Sequence, residues 1–172
     1  MLEPAILGFL MESSIHGYEL KQRLTLLNGH FRSISDGALY PAINRLEKQG
    51  LLSKQKEVND SGMTRQVMTI TQAGKEKLLE LLQHPSDMDI SDRNRFFTML
   101  AFLKYLSADE QKAILMRRLT FLEGGRSFFS NGDKPVRFTE EKDVFRAGML
   151  HIAKETSRVE KEWLNSMIAS LQ

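Results

Sequence analysis

The sequence predicts a mainly α protein with one small β-hairpin. Three observations predict this class. Apolar residues recur at helical spacing over most of the chain. Two segments in which apolar and polar residues alternate flank a turn sequence, and a polar stretch separates the first half of the chain from the second. With 172 residues, of which 41% are hydrophobic, the chain is long enough to bury a core. The break, at residues 84–92, predicts two domains, 1–83 and 84–172.

Two short helices are predicted at the start of the first domain. The segment from Glu3 to Met11 is apolar, and it is separated from the next segment by polar residues and a glycine. The second helix, from Tyr18 to Leu27, places three leucines on one face, at Leu20, Leu24 and Leu27.

The third helix is predicted to begin after Ser35, an N-cap residue, and to end at Gly50, a C-terminal cap. Pro41 inside it predicts either a bend or a later start, because an interior proline loses a backbone hydrogen bond. Its apolar face consists of Leu39, Ile43 and Leu46, and the opposite side is small at its start and basic at its end.

A hairpin and a fourth helix complete the first domain. Leu51 to Val58 and Thr64 to Thr71 are predicted strands, joined by the turn sequence at 59–62. Thr71 then caps a helix from Gln72 to Gln83, with Leu78, Leu81 and Leu82 facing inward. Three short helices followed by a two-stranded hairpin describe a winged helix-turn-helix.

The second domain is predicted to be helical. Helices are expected from Arg93 to Tyr105 and after Ser107, which forms a capping box with Glu110. A loop follows at 131–135, and Thr139 is the expected cap of a last helix that ends near Leu171. This long helix has an apolar stripe, which predicts pairing with a second subunit. The candidate dimer-interface residues are Phe145, Met149, Ile152, Val159, Trp163 and Met167.

Charge and composition narrow the function classes. The net charge is only +2, but residues 32–77 contain 8 Lys or Arg against 5 Asp or Glu, an excess of 3 that suits a phosphate backbone. The chain has no cysteine, which excludes disulfides and thiolate chemistry and fits a cytoplasmic protein. No apolar run approaches the length of a membrane span.

No enzyme, cofactor or metal motif is present. The four histidines have no ligand spacing, and no glycine loop for phosphate or nucleophile motif occurs. Asp87, Asp89 and Asp92 lack the glycine and the distal glutamate of a calcium loop, so a linker that caps a helix is the expected role. The sequence therefore predicts no catalytic residues, no metal and no cofactor.

Several strings in the first domain resemble the PadR family of transcriptional regulators. They are HGYEL at 16–20, the run from Ser35 to Leu52 (SDGALYPAINRLEKQGLL), GMTR at 62–65 and ITQAG at 70–74. The second half is similar, in length and helical layout, to the helical domain of the larger, AphA-like members. The resemblance implies a homodimer that binds an imperfect palindrome, in most cases as a repressor.

The same resemblance implies that the third helix enters the major groove and the wing lies on the backbone or in the minor groove of double-stranded DNA. Carried over position by position, the candidate DNA-binding residues are Ser35, Gly37, Ala38, Tyr40, Pro41, Asn44, Arg45, Lys48 and Arg65. At the start of the helix, Gly37 and Ala38 allow close approach of a phosphate to free N–H groups.

The chemistry of the other candidates leaves alternatives open. Tyr40 can reach a phosphate or lie half-buried in the core, and Asn44 can read adenine bidentately or be a solvated helix residue. Arg45 can contact guanine, phosphate or a carboxylate, while Lys48 is a phosphate contact or plain surface. Arg65 is the best wing candidate for the minor groove. Because Gln66, Val67 and Met68 stand where the family often has basic residues and tyrosines, we expect the wing to position the protein rather than specify sequence.

Two further hypotheses stay open. The winged helix can be a protein-interaction module, in which case the long helix docks another factor. Alternatively, a small hydrophobic or aromatic effector binds in the helical half and changes the spacing of the two recognition helices. The aromatic residues considered for such a pocket are Trp163, Phe96, Phe97, Phe121, Phe128 and Phe129. Helical spacing of this kind is more typical of an ordinary core and, for Trp163, of a dimer core.

Overall fold

The structure of the protein is a computed structural model that describes residues 2–27, 29, 34–58, 64–124, 130–131, 134–135 and 139–171. The chain divides into two compact units, Met1–Leu106 and Ser107–Gln172. The first unit contains a small sheet among short helices, and the second is built on two long helices. The expected turn at 59–62 and the wing residues Gly62 and Met63 lie outside the described residues.

The first unit follows the predicted order of elements closely. Its helices and strands are α1 (Leu2–Glu12), β1 (Ile15–His16), α2 (Gly17–Leu27), α3 (Asp36–Lys48), β2 (Leu52–Val58), β3 (Thr64–Ile70), α4 (Gln72–Gln83), α5 (Asp87–Ser91) and α6 (Arg93–Leu100), followed by a 3-10 turn (Leu103–Tyr105). The winged helix-turn-helix arrangement of three helices and a hairpin is thus confirmed.

The sheet has three antiparallel strands in the order β1-β3-β2. The hairpin pairs Leu52 with Ile70 and Val58 with Thr64, within one residue of the predicted strand ends. Met68 and Ile70 are buried and Thr69 is exposed, as period-two alternation predicts. The short strand β1 was not predicted, because two residues carry no periodicity; its pairing with β3 is a tertiary contact.

The core of the first unit is formed by the inward faces of its helices. Leu20 and Leu24 of α2 and Leu78 and Leu82 of α4 are fully buried, whereas Leu27 and Leu81 are only half-buried, unlike the prediction. Helix α4 begins after Thr71, whose side chain accepts a hydrogen bond from the Gly74 N–H at 3.1 Å. This cap confirms the predicted start of α4.

Helix α3 ends in a Schellman motif. Gly50 has a φ of +72°, its N–H donates to the Glu47 carbonyl, and the Leu51 N–H donates to the Leu46 carbonyl. This confirms Gly50 as the C-terminal cap. The helix already begins at Asp36 and contains Pro41, so it does not start later.

The first compact unit extends beyond residue 83. Residues 84–92, expected to be a polar linker, contain α5, and the segment that follows packs against α1. Phe102 meets Phe9 edge to face, with ring centroids 5.2 Å apart, and a Cβ on Gly8 would lie 2.6 Å from the Phe102 ring. The expected boundary at 83/84 therefore falls inside a compact unit that ends at Leu106.

The acidic residues of this segment cap helices. Asp89 forms a capping box with Ser86 at the start of α5, and it also accepts a hydrogen bond from the Arg95 Nε at 2.8 Å. Asp92 accepts from the Arg95 N–H and caps α6. Helix α6 ends at Leu100, earlier than the predicted Tyr105, and the chain continues through a turn into the 3-10 helix.

The second unit contains α7 (Ala108–Glu123), β4 (Ser130–Asn131), β5 (Lys134–Pro135) and α8 (Val144–Ser170). The predicted capping box of Ser107 and Glu110 is confirmed. Within the predicted loop at 131–135, Asn131 pairs with Lys134 and Pro135 pairs with Ser130, as the short strands β4 and β5. Thr139 does not cap α8; Asp143 does, because its carboxylate accepts from the N–H groups of Phe145 and Arg146.

An ion pair lies between the two long helices of the second unit. The Arg118 Nε of α7 donates to the Glu160 Oε1 of α8 at 2.7 Å, and the two residues are 2% and 8% exposed. The guanidinium of Arg118 also lies over the Phe121 ring, 5.4 Å from its centroid. Among the described residues of this unit, the interior therefore combines apolar packing with this charged pair.

Candidate nucleic-acid interface

Helix α3 has two opposite faces. Leu39, Ala42, Ile43 and Leu46 are buried, and they cover one side of the helix over its whole length. The other side is exposed and carries Gly37, Pro41, Asn44, Arg45 and Lys48. Arg45 and Lys48 lie in the last turn, so the exposed face ends in two cations. The sequence pattern predicted both faces correctly.

A groove of about 900 Å³ lies beside this exposed face. It is lined by the beginning of α2, by α3 and by the two hairpin strands, with Tyr40, Asn44, Lys54, Arg65 and Gln66 among the lining residues. Tyr40 and Asn44 come from α3, and Lys54 and Arg65 come from β2 and β3. The groove therefore unites the candidate recognition helix with the wing strands.

Tyr40 stands at the edge of this groove. Tyr40 is 48% exposed, so about half of its surface is accessible to a ligand and half is covered by the protein. Its ring and hydroxyl lie against Gly17, where an added Cβ would be 3.6 Å from the ring edge and 3.7 Å from the hydroxyl oxygen. The Tyr40 side chain thus lies beside the start of α2.

The N-terminus of α3 is polar and open. Ser35 is the N-cap residue, as predicted, but its side chain makes no capping hydrogen bond and is exposed. Asp36 pairs with Lys21 of α2 at 2.8 Å, and this hydrogen bond raises the pKa of Lys21. Lys21 thereby offsets the one negative charge in the first turn of α3. Gly37 has open space around it, and Ala38 is exposed.

Asn44 has a charged partner that the sequence did not indicate. The Lys54 Nζ donates to the Asn44 Oδ1 at 2.6 Å and pairs with the Glu47 Oε2 at 2.7 Å. Lys54 belongs to β2, ten residues along the chain from Asn44, and the contact depends on how the strand packs beside α3. Local spacing carries no signal for it.

The remaining cations of the candidate interface are more accessible. The Arg45 side chain is 58% exposed, and its guanidinium lies 4.0 Å from the Glu3 carboxylate of α1. The carboxylate partner considered for Arg45 is therefore present, but the contact is long and exposed to solvent. Lys48 and Arg65 are exposed on α3 and β3. All nine predicted DNA-binding residues are therefore solvent-accessible, and several of them meet at one groove.

The predicted interface stripe on α8 is a second exposed surface. Phe145 is 83% exposed and Ile152 66% exposed, and Met149, Val159 and Trp163 are also exposed; Met167 is half-buried. A different face of α8, carrying Leu150, Glu160 and Leu164, is the buried one. The stripe is thus an apolar surface, largely uncovered within this chain.

The aromatic residues considered for an effector pocket are dispersed. Phe96 is fully buried in the first unit. The Arg93 guanidinium lies over the Phe97 ring, 4.9 Å from the ring centroid. Phe121 belongs to the second unit, and Phe128 and Phe129 lie outside the described residues. An effector stays a prediction.

No group of three or more His, Asp or Glu side chains in the described part of the chain is arranged to hold a metal ion. No described helix is both long enough and apolar enough to cross a membrane.

Comparison with known protein families gives a match to the transcriptional regulator PadR-like family over residues 6–80. The negative transcriptional regulator PadR of Bacillus subtilis is 22% identical over 178 aligned residues, which cover 99% of this chain and 97% of that protein. A transcriptional regulator of Mycobacterium tuberculosis is 39% identical over 75 residues, or 44% of this chain and 66% of that protein.

Solved structures include relatives of the same kind. The crystal structure of Bacillus subtilis PadR in complex with operator DNA aligns with 99% of both chains, at 22% identity and a TM-score of 0.48. A PadR-like transcriptional regulator from Bacillus cereus is 32% identical and aligns with 48% of this chain and 78% of its own, at a TM-score of 0.43.

Proposed function

We propose that this chain, whose residues 6–80 match the PadR-like family of transcriptional regulators, acts by binding operator DNA as a homodimer. The observation that carries this proposal is the exposed face of α3. A helix that is buried on one side and polar and basic on the other fits the major groove of B-DNA, which is about 12 Å wide.

Phosphate contacts supply most of the proposed affinity. The exposed Ser35 hydroxyl and the open N-terminus of α3 suit a phosphate, as does the Tyr40 hydroxyl at the groove edge. Lys48 on α3 and Arg65 on the wing strand β3 add two exposed cations. Neutralising phosphates releases counterions, so the affinity falls as salt rises.

Base contacts supply the specificity. Asn44 and Arg45 lie in the middle and last turns of the exposed face of α3, where side chains of a groove-bound helix reach base edges. The wing, with Gln66 following Arg65, has little basic character and serves to position the helix.

The exposed stripe of α8 supports the homodimer and the palindromic operator. An apolar surface of this length, on a helix of 27 residues or about 40 Å, is suited to pair with its copy across a two-fold axis. Two α3 helices then read half-sites about 34 Å apart, one helical turn of DNA. The name of the Bacillus subtilis relative, a negative regulator, supports repression through occupancy of the operator.

The direct test is enrichment of a random duplex DNA pool on the purified protein, followed by sequencing. We expect an inverted repeat whose half-site spacing matches one or more helical turns. If no sequence is enriched although the protein is folded and dimeric, sequence-specific DNA binding is wrong and the protein-interaction alternative is favoured.

Two variants assign the interface within that test. Arg65→Ala is expected to weaken binding to all duplexes by a similar factor, because a phosphate or minor-groove cation carries little sequence information. Asn44→Ala is expected to relax the preference at one position of each half-site. Lys75→Ala, at an exposed position of α4, is the matched control. Unchanged binding in both test variants would refute the site assignment.

A further inference from the structure

Lys54, Asn44 and Glu47 form a compact polar cluster, here called the Lys54 triad, and two of its members, Lys54 and Asn44, line the candidate groove. The Lys54 side chain is only 14% exposed, although it is an ammonium on a wing strand. Its Nζ reaches the Asn44 Oδ1 at 2.6 Å and the Glu47 Oε2 at 2.7 Å. Both distances are those of charge-assisted hydrogen bonds, which are stronger than neutral ones.

The triad fixes which way the Asn44 amide faces. An ammonium has three donors and no acceptor, so the amide atom beside Lys54 must be the oxygen. The Nδ2 group then points away from Lys54, and within the described residues it donates to no other group. Asn44 is exposed, so this NH₂ group is the part of the amide that is available to a ligand.

An asparagine whose oxygen already accepts a hydrogen bond, and whose NH₂ group is available, recognises a different base from a free asparagine. Bidentate recognition of adenine needs both amide atoms, with Oδ1 accepting from N6 and Nδ2 donating to N7. Guanine instead offers two acceptors, O6 and N7, in the major groove. A donor-only amide therefore suits guanine, and a charged donor on Oδ1 opposes the approach of the adenine N6 amino group.

We propose that Lys54 determines specificity by holding the Asn44 oxygen, so that Asn44 selects guanine rather than adenine at its base position. This rests on the proposed function, in which α3 lies in the major groove. Lys54 touches no base in this arrangement; it acts through Asn44 as a positioning residue. Guanine reading is thus proposed in place of bidentate adenine reading, which was one of the two alternatives that the sequence left open for Asn44.

Glu47 keeps Lys54 in place. A lysine beside DNA is normally drawn to phosphate oxygens, but swinging Lys54 outward would break both of its charge-assisted bonds and leave Glu47 without its cation. The carboxylate and the amide oxygen, one turn apart on α3, thus form a two-point anchor for one ammonium.

The test compares DNA pools enriched on the wild-type protein and on Asn44→Ala, Lys54→Met and Lys54→Arg. Asn44→Ala first identifies the base position that Asn44 reads, since its preference disappears there. We expect guanine at that position in the wild-type pool and a shift of the adenine-to-guanine ratio by about tenfold toward adenine for Lys54→Met. Lys54→Arg keeps a charged donor and is expected to retain guanine.

Each other outcome overturns a definite part of the proposal. Adenine at the Asn44 position in the wild-type pool, or an unchanged preference in Lys54→Met, refutes the role of Lys54 while the proposed function stands. An Asn44→Ala pool identical to the wild type also refutes it. If the wild-type protein enriches no sequence, the proposed function itself fails.

Controls separate base preference from charge and folding. Lys75→Met removes the same charge from an exposed position of α4 and is expected to leave every base preference unchanged. If Lys75→Met produced the same shift toward adenine, the effect would be one of net charge and the proposal would be wrong. Thermal denaturation followed by circular dichroism establishes that Lys54→Met and Lys54→Arg are folded at the temperature of the enrichment.

Discussion

At the scale of single residues, Arg118 and Glu160 form the least exposed ion pair among the described residues. Removing one charge deprives the other, buried charge of this partner, which typically costs about 3–5 kcal/mol. We therefore expect Arg118→Met to lower the free energy of unfolding by about that amount, measured by urea denaturation.

The double variant Arg118→Met, Glu160→Met is the matched control for this pair. It removes both charges and keeps apolar volume, so it should recover most of the lost stability. A double variant as unstable as Arg118→Met would show that lost packing, rather than the loss of one member of the charge pair, causes the effect.

Gly74 is a second residue whose identity is set by its surroundings. A Cβ at this position would lie 2.0 Å from the Leu51 carbonyl oxygen, which is backbone and cannot move aside. Gly74→Ala is expected to destabilise the protein by about 1–3 kcal/mol, as overpacking does, with the loss visible as a lower melting temperature.

Gly148 provides the comparison for Gly74. It also lies in a helix, but a Cβ there would meet nothing within 4 Å. Gly148→Ala is expected to stabilise the protein by about 0.5–1 kcal/mol, through helix propensity alone. If both alanine variants melted alike, the close approach of Leu51 would not be the deciding contact.

Caps were the residues that the sequence predicted best, because a cap depends on neighbours within four positions. Thr71, Gly50 and the Ser107 capping box were each identified correctly. Thr139 was a wrong cap because Asp143, closer to the apolar stripe, offers a carboxylate to two N–H groups. The Lys54 contact with Asn44 was missed because it depends on strand packing.

At the scale of elements, Asp89 ties α5 to α6. Partial burial raises the pKa of its carboxyl, but hydrogen bonds from Ser86 and Arg95 outweigh this, and the pKa lies below its usual value of 3.8. A carboxyl with a lowered pKa stabilises the fold above its unfolded pKa, and this contribution is lost as the pH falls through the folded pKa.

Asp89→Asn is therefore expected to lower stability by about 1–2 kcal/mol at pH 7, and by progressively less below about pH 4. Urea denaturation at several pH values measures both effects. The control is Asp109→Asn, an exposed aspartate in the first turn of α7. A difference between Asp89→Asn and wild type that stayed constant down to pH 2 would contradict the role of the ionised carboxylate.

Element boundaries followed from sequence wherever the pattern was long. The ends of α4 were predicted correctly, and those of β2 and β3 within one residue. The elements that were missed, β1, α5 and the β4–β5 pair, have two to five residues each, too few for a periodicity to appear. Tertiary pairing, as of Ile15 with Met68, decides such elements.

At the scale of the whole molecule, the exposed stripe of α8 predicts the oligomeric state. Ile152 and Val159 lie near its middle, and both are exposed in the single chain. Replacing both with glutamate places charges in the proposed apolar interface, so the double variant is expected to sediment as a monomer in analytical ultracentrifugation at concentrations where the wild type is a dimer.

The matched control is Asn165→Glu, an exposed position on another side of the same helix. It adds a negative charge without touching the stripe and should leave the dimer intact. A dimer that survives both glutamates in the stripe would place the subunit interface elsewhere. The monomeric variant is also expected to lose the inverted-repeat preference, because one chain reads one half-site.

The division of the chain into units was the whole-molecule feature that sequence reasoning located least well. Composition changes most visibly at residues 84–92, and the expected boundary was placed there. The compact unit nevertheless ends at Leu106, because Phe102 packs on Phe9 and Lys104 pairs with Glu12 across more than ninety residues of sequence. A composition profile carries no record of such distant contacts.

The contact of Phe102 with α1 has a consequence for synthesis on the ribosome. Helix α1 emerges first among the helices of this unit, yet the side chain that covers Gly8 is translated more than ninety residues later. Throughout that interval, the nascent chain presents an apolar patch on its earliest helix. Co-translational folding of this unit is therefore completed only when Phe102 has left the exit tunnel, and until then α1 is a surface for chaperones to shield.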